Sequence, residues 1–146
     1  MYIPTERLIA VACLAGGPAN TELCGDVKFY QTSGGTLVVA DVYNLPAEDG
    51  VFALHVHAGK SCEGEEFSES DGHFNPTGQP HPYHAGDLPP LFAAHGHALL
   101  AVLTDRFTPE EVLGRTVIVH AGVDDFTSQP AGNSGAKIAC GVIRAV

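Results

Sequence analysis

Residues 25–43 read Gly-Asp-Val-Lys-Phe-Tyr-Gln-Thr-Ser-Gly-Gly-Thr-Leu-Val-Val-Ala-Asp-Val-Tyr, two alternating stretches on either side of Ser33-Gly34-Gly35. Alternation of period two with β-branched residues marks strands that have one face on a core, and the glycine pair between them is a turn signal. The pattern recurs along the chain and predicts strands at 7–14, 25–32, 36–43, 51–57, 88–94, 97–103, 115–120 and 138–145. Gly16-Gly17-Pro18, the stretch from Pro46 to Gly50 and His95-Gly96 supply further turns. Pro109-Glu110-Glu111 opens one helical turn and nothing longer. The expectation is an all-β, eight-stranded Greek-key sandwich or flattened barrel in which alternate residues face a common core. Residues 58–87 and 121–137 carry no strand pattern. Loops of that length in a compact domain are uncommon and usually functional.

The length, 146 residues, suits one domain over 1–146 with a core large enough to need no stapling. Low charge with 17 glycines and 10 prolines fits short strands and substantial loops. The formal net charge is −10, so no basic patch awaits phosphate and no nucleic-acid partner is expected. The acids of Glu63-Gly64-Glu65-Glu66 and Glu69-Ser70-Asp71 read as a solvated loop. No apolar run approaches the ~20 residues of a membrane span, so no membrane partner is expected either. The run Leu8 to Leu14 has only Arg7 ahead of it, offset by Glu6, and no convincing cleavage site, so it is not read as a signal peptide. The chain carries no address: cytoplasmic if complete, periplasmic or secreted if a leader has been removed. Cys13, Cys24, Cys62 and Cys140 allow three pairings. Cys13 and Cys24 flank a hairpin loop and either pair or act as small apolar residues.

All eight histidines fall between Leu54 and His120, and six of them form one pattern, each long loop beginning directly after one of the six. His55 and His57 stand two apart on a strand, so both imidazoles leave the same face. Alone, such a pair is a weak signal and is more often inert. His120 ends the apolar run Val117-Ile118-Val119, where an unsatisfied imidazole would be costly. Between them lie Gly72-His73-Phe74-Asn75-Pro76 and His81-Pro82-Tyr83-His84-Ala85-Gly86-Asp87. His73, His81, His84 and Asp87 are three imidazoles and a carboxylate, a full tetrahedral complement for zinc. Pro76, Pro80 and Pro82 stiffen this loop, and metal binding would supply the rest of its order.

In this order, His55-Val56-His57, Gly72 to Pro76, His84-Ala85-Gly86-Asp87-Leu88, Gly114 to His120 and Ala139-Cys140-Gly141-Val142-Ile143 resemble copper/zinc superoxide dismutases. The short His57–Cys62 interval and Ala121-Gly122 look like the family's bacterial branch. The resemblance implies that His55, His57, His73 and His120 hold a copper ion. His73 would also face a zinc ion held with His81, His84 and Asp87. It implies that Asp124, with Asp125 as its neighbour, hydrogen-bonds His55 and His81 from behind, and that Cys62 and Cys140 form the intrasubunit disulfide. Superoxide is the implied substrate and a homodimer the implied assembly, through an interface the sequence does not choose.

Two departures from the family bear on activity. Where the family usually has an anion-binding arginine stands Lys137, which keeps the charge and loses the planar fork of donors. A lower rate is expected. The His81–His84 interval is tight and requires a turn at Pro82-Tyr83, failing which His81 would be the first ligand lost. No basic residue lies between His120 and Lys137, leaving Lys137 and Lys60 to attract anions against an acidic background. His95 and His97 match no ligand position and are expected in an exposed hairpin turn. The competing readings are a non-catalytic copper/zinc-binding module, such as a copper carrier, and a zinc-only structural protein.

Overall fold

A computed structural model describes residues 7–146, so the first six residues of the expected 1–146 domain lie outside the described ones. The strands are β1 (Arg7–Gly16), β2 (Cys24–Thr32), β3 (Gly35–Tyr43), β4 (Val51–Phe52), β5 (Leu54–His57), β6 (Leu91–Phe92), β7 (Ala98–Thr104), β8 (Thr116–His120) and β9 (Lys137–Ala145). Seven of them form one curled antiparallel sheet in the order β5-β8-β9-β1-β2-β3-β7, and β4 pairs with β6. β1, β2 and β3 pair in chain order, as do β8 and β9, whereas β3 bonds to β7, β5 to β8 and β9 to β1 by longer crossovers, as in a Greek key.

Register builds the core. Val38 and Ala40 of β3 lie opposite Phe29 and Val27 of β2, which in turn lie opposite Ala10 and Ala12 of β1. All six are fully buried, and Phe107 packs on Phe29 with ring centroids 6.2 Å apart. A one-residue slip would turn this set to solvent, so the pattern itself fixes the pairing.

β5 and β8 differ: every residue in both is buried. Leu54, Val56, Val117 and Val119 belong to the hydrophobic core. The alternate residues His55, His57, Thr116, Ile118 and His120 leave the opposite face, where the long loops cover them. The loop after β5 also closes that strand's free edge. Val56 accepts from the Phe74 amide at 2.8 Å and donates to the Gly86 carbonyl at 2.8 Å. A Cβ on Gly86 would collide with the Val56 carbonyl. Edge strands need such cover, and here the cover brings His73 and Asp87 alongside β5, bridged to His57 and His55 respectively.

The strand expected at 51–57 divides at Ala53, whose N–H donates instead to the Gly122 carbonyl at 3.0 Å. The strand expected at 88–94 shrinks to Leu91–Phe92, because Pro89 and Pro90 have no N–H to give a ladder. The acidic stretch folds as a 3-10 turn, Glu65–Ser70, whose three glutamates are exposed. Cys62 and Cys140 are disulfide-bonded with Cα atoms 5.8 Å apart, tying that loop to β9. Cys13 and Cys24 are free thiols on exposed residues.

Candidate metal centre

Strand alternation puts His55 and His57 on one face of β5, and the β5–β8 pairing brings His120 beside them. His73 arrives on the loop that pairs with Val56. Donor atoms of His55, His57, His73 and His120 all lie within 4.8 Å of one another, and those of His55, His73, His81 and Asp87 do likewise. His84 joins the second group through its Nδ1, 3.2 Å from His73 Nδ1 and 3.3 Å from Asp87 Oδ1.

In four of the rings, hydrogen bonds to groups outside the donor sets settle which nitrogen carries a proton. A carbonyl or carboxylate oxygen only accepts, so a ring nitrogen bonded to one must be N–H, leaving the other nitrogen of a neutral ring as a lone pair. His57 Nδ1 donates to the Asp71 carbonyl at 2.7 Å and His120 Nδ1 to the Gly135 carbonyl at 3.4 Å. Their Nε2 atoms then face each other as lone pairs 3.2 Å apart. His55 Nε2 donates to Asp124 Oδ2 at 2.9 Å and His81 Nε2 to Asp124 Oδ1 at 2.8 Å. This leaves His55 Nδ1 and His81 Nδ1 as lone pairs, both buried without a hydrogen-bond partner, as is His73 Nε2. Converging lone pairs repel unless a cation lies among them.

On the other side, His73 Nδ1 stands 2.8 Å from Asp87 Oδ1, and His81 Nδ1 stands 3.1 Å from Asp87 Oδ2 without hydrogen-bond alignment. Ligand atoms about 2.0–2.1 Å from a tetrahedral ion are themselves about 3.3 Å apart. The 2.8–3.3 Å spacings among His73, His84 and Asp87 fit one ion. The first set, His55, His57, His73 and His120, is all imidazole, which suits copper, and the second adds one carboxylate, which suits zinc.

Electrostatics favours the neutral form of His55, His57, His84 and His120, as ligation requires. Burial, joined by the neighbouring imidazoles, pushes His55 far down; it pushes His57 to about 2 and His120 to about 4. His84 is lowered by burial as well. Burial raises the Asp87 carboxyl, but its hydrogen bond from His73 and the surrounding rings outweigh this and hold it low. Asp124 is buried and bridges both halves, whereas Asp125 is exposed and accepts from the Thr127 and Ser128 amides.

Lys137, at the start of β9, donates from Nζ to Ser70 Oγ at 2.8 Å and to the Asp71 carbonyl at 2.9 Å. That carbonyl also receives His57, so ammonium and imidazole share one anchor, and the lysine charge helps lower both His57 and His120. Lys60 is exposed. His95 sits exposed in the β6–β7 turn, far from simple expectation only in its neighbour: His97 Nε2 lies 2.6 Å from Asp41 Oδ1, and its ring stacks on Tyr43 at 4.4 Å. Ser70, the Asp71 carbonyl, Arg106 and Gln129 contact the centre's supports and escape sequence reading, since no motif marks a residue that acts through main-chain groups.

The tight His81–His84 interval does turn as required: the Tyr83 amide donates to the Pro80 carbonyl at 2.7 Å. Comparison with known proteins agrees with the geometry. The family model described as copper/zinc superoxide dismutase matches residues 23–143. A copper-zinc superoxide dismutase of Aquifex aeolicus is 33% identical over 138 residues, covering 84% of this chain and 80% of the relative. One from Legionella pneumophila is 34% identical over 128 residues, with 82% and 77% covered. One from Deinococcus radiodurans is 34% identical over 146 residues, with 86% and 79% covered. The chain belongs to the copper/zinc superoxide dismutase family.

Proposed function

We propose that this protein is a superoxide dismutase in which His55, His57, His73 and His120 hold copper while His73, His81, His84 and Asp87 hold zinc. The reaction takes two superoxide anions and two protons to dioxygen and hydrogen peroxide. The observation that carries the assignment is the convergence of buried, unpartnered nitrogens: His55 Nδ1 and His73 Nε2 on one side, His81 Nδ1 on the other. Copper when bound supplies the one-electron couple, and zinc supplies fixed positive charge without redox chemistry.

The chain's own groups do the rest. Asp124 orients His55 and His81 together through its two oxygens. Such outer partners fix ring orientation and raise ligand basicity. His73 Nε2, buried and free of any hydrogen bond, is where a proton destined for peroxide can be held. Lys137 spends two donors on Ser70 and Asp71, which leaves its third N–H for the anion.

The same proposal includes one domain over 1–146, a homodimer, and neither nucleic-acid nor membrane partners. The net charge of −10 supports the former absence; no described helix is long and apolar enough to cross a membrane. Sedimentation at micromolar concentration tests the dimer. The decisive assay follows superoxide decay with copper- and zinc-loaded protein against zinc-only and metal-free protein. Copper-dependent decay well above buffer is expected. Decay no faster than buffer in the copper-loaded sample would instead favour a carrier or structural module.

A further inference from the structure

The turn that carries two of the proposed zinc ligands has almost no chain of its own: Pro82 and Tyr83 alone separate His81 from His84. Its main-chain groups are taken by side chains from elsewhere. The Gln129 carboxamide meets His81 at both ends: His81 N donates to Gln129 Oε1 at 2.9 Å, and Gln129 Nε2 donates to the His81 carbonyl at 2.8 Å. That is the two-point pairing one strand residue gives another, made here by a side chain 48 positions away. Arg106 Nη1 donates to the Pro82 carbonyl at 2.8 Å and the His84 carbonyl at 3.2 Å. Three of the four carbonyls from 81 to 84 are thus held by two side chains, while Asp124 holds the His81 ring.

The wall behind is built to the same closeness. Gly132 has φ +68°, and a Cβ there would overlap Asp124 Oδ1 and come within 2.6 Å of His81 Nε2. Pro82, Asp87, Arg106 and Asp124 line one open cavity of about 410 Å³, so water stands ready to replace any donor that is removed.

We propose that Arg106 and Gln129 are positioning residues that hold His81 and His84 in ligating geometry, doing for a shortened loop what its own chain is too brief to do. The inference rests on the zinc assignment above. Neither residue offers an atom to the ion or to substrate; both restrict the backbone that aims the imidazoles. Ordering a residue costs backbone entropy. A turn already ordered by these donors does not incur that cost when zinc binds.

The test is Zn²⁺ competition against a chelator with the full chain, comparing wild type with Arg106→Ala, Arg106→Lys, Gln129→Ala and the near-isosteric Gln129→Glu. Copper uptake serves in each as the check of folding. Loss of supporting partners typically weakens metal affinity about 10–100-fold. We expect that loss of zinc affinity in both alanine variants, with copper affinity within about threefold of wild type. Arg106→Lys should recover part of the loss, because an ammonium can still donate to a carbonyl. Co²⁺ placed in the zinc site should lose the strong visible absorption of a tetrahedral ion. Variants that bind zinc as tightly as wild type, with an unchanged cobalt spectrum, would overturn the positioning role alone, even if their metal-free urea midpoints fell. A wild-type protein that takes up copper but no zinc would overturn the zinc assignment and this role with it.

Discussion

Lys137 holds the position from which a positive charge can meet an anion beside His57 and His120. Its ammonium is itself lowered by burial, and its two hydrogen bonds fix it against Ser70 and Asp71. An arginine there could keep both anchors and still present a planar pair of donors to the anion. Lys137→Arg is therefore expected to raise the second-order rate of superoxide decay several-fold, and Lys137→Met to lower it about tenfold, with metal content unchanged in both. Equal rates for all three would show that residue 137 does not meet the anion. The candidate ligands could be read from sequence because imidazoles and a carboxylate are chemically distinctive at their spacings. Arg106, Gln129 and Ser70 could not, because what they grasp is main-chain carbonyl, a group every residue carries.

At the scale of elements, alternation located β2 and β3 to within one residue, since each has one face in the core and one turned away from it. β8, buried on both faces, was also found to within one residue, but β4 and β5 were run together across Ala53 and β6 was overextended into a proline pair. The order in which strands pair was not legible in any local pattern, because period two says which face is buried and nothing about the neighbour. The disulfide acts at this scale also. It ties the 58–71 segment to β9, and that segment supplies the Asp71 carbonyl to His57 and Lys137. A crosslink closing so long a loop contributes about 2–5 kcal/mol. Cys62→Ser with Cys140→Ser is expected to cost that much in urea unfolding of the metal-free protein and to reduce activity of the loaded one. An unchanged urea midpoint would contradict the loop's dependence on the bond.

For the whole molecule, a cluster of imidazoles kept neutral by burial makes metal-free stability depend on acid. His57 and His120 titrate near 2 and 4 in the folded chain against 6.5 when unfolded. Between those values the unfolded chain binds more protons, so the stability present above pH 6.5 is lost as pH falls toward 4. Each such imidazole contributes about 1.4 kcal/mol per pH unit in that window. The urea midpoint of metal-free protein should thus drop steeply from pH 6.5 to 4.5, and a flat midpoint would show that the rings are not held neutral. In the proposed centre His73 faces two cations at once, one from each ring nitrogen. Anomalous diffraction from crystals of the loaded protein, recorded at the copper and zinc edges, measures this directly. Two ions should flank the ring, copper at Nε2 among His55, His57 and His120, and zinc at Nδ1 among His81, His84 and Asp87. A single ion, or two that do not share residue 73, would contradict it.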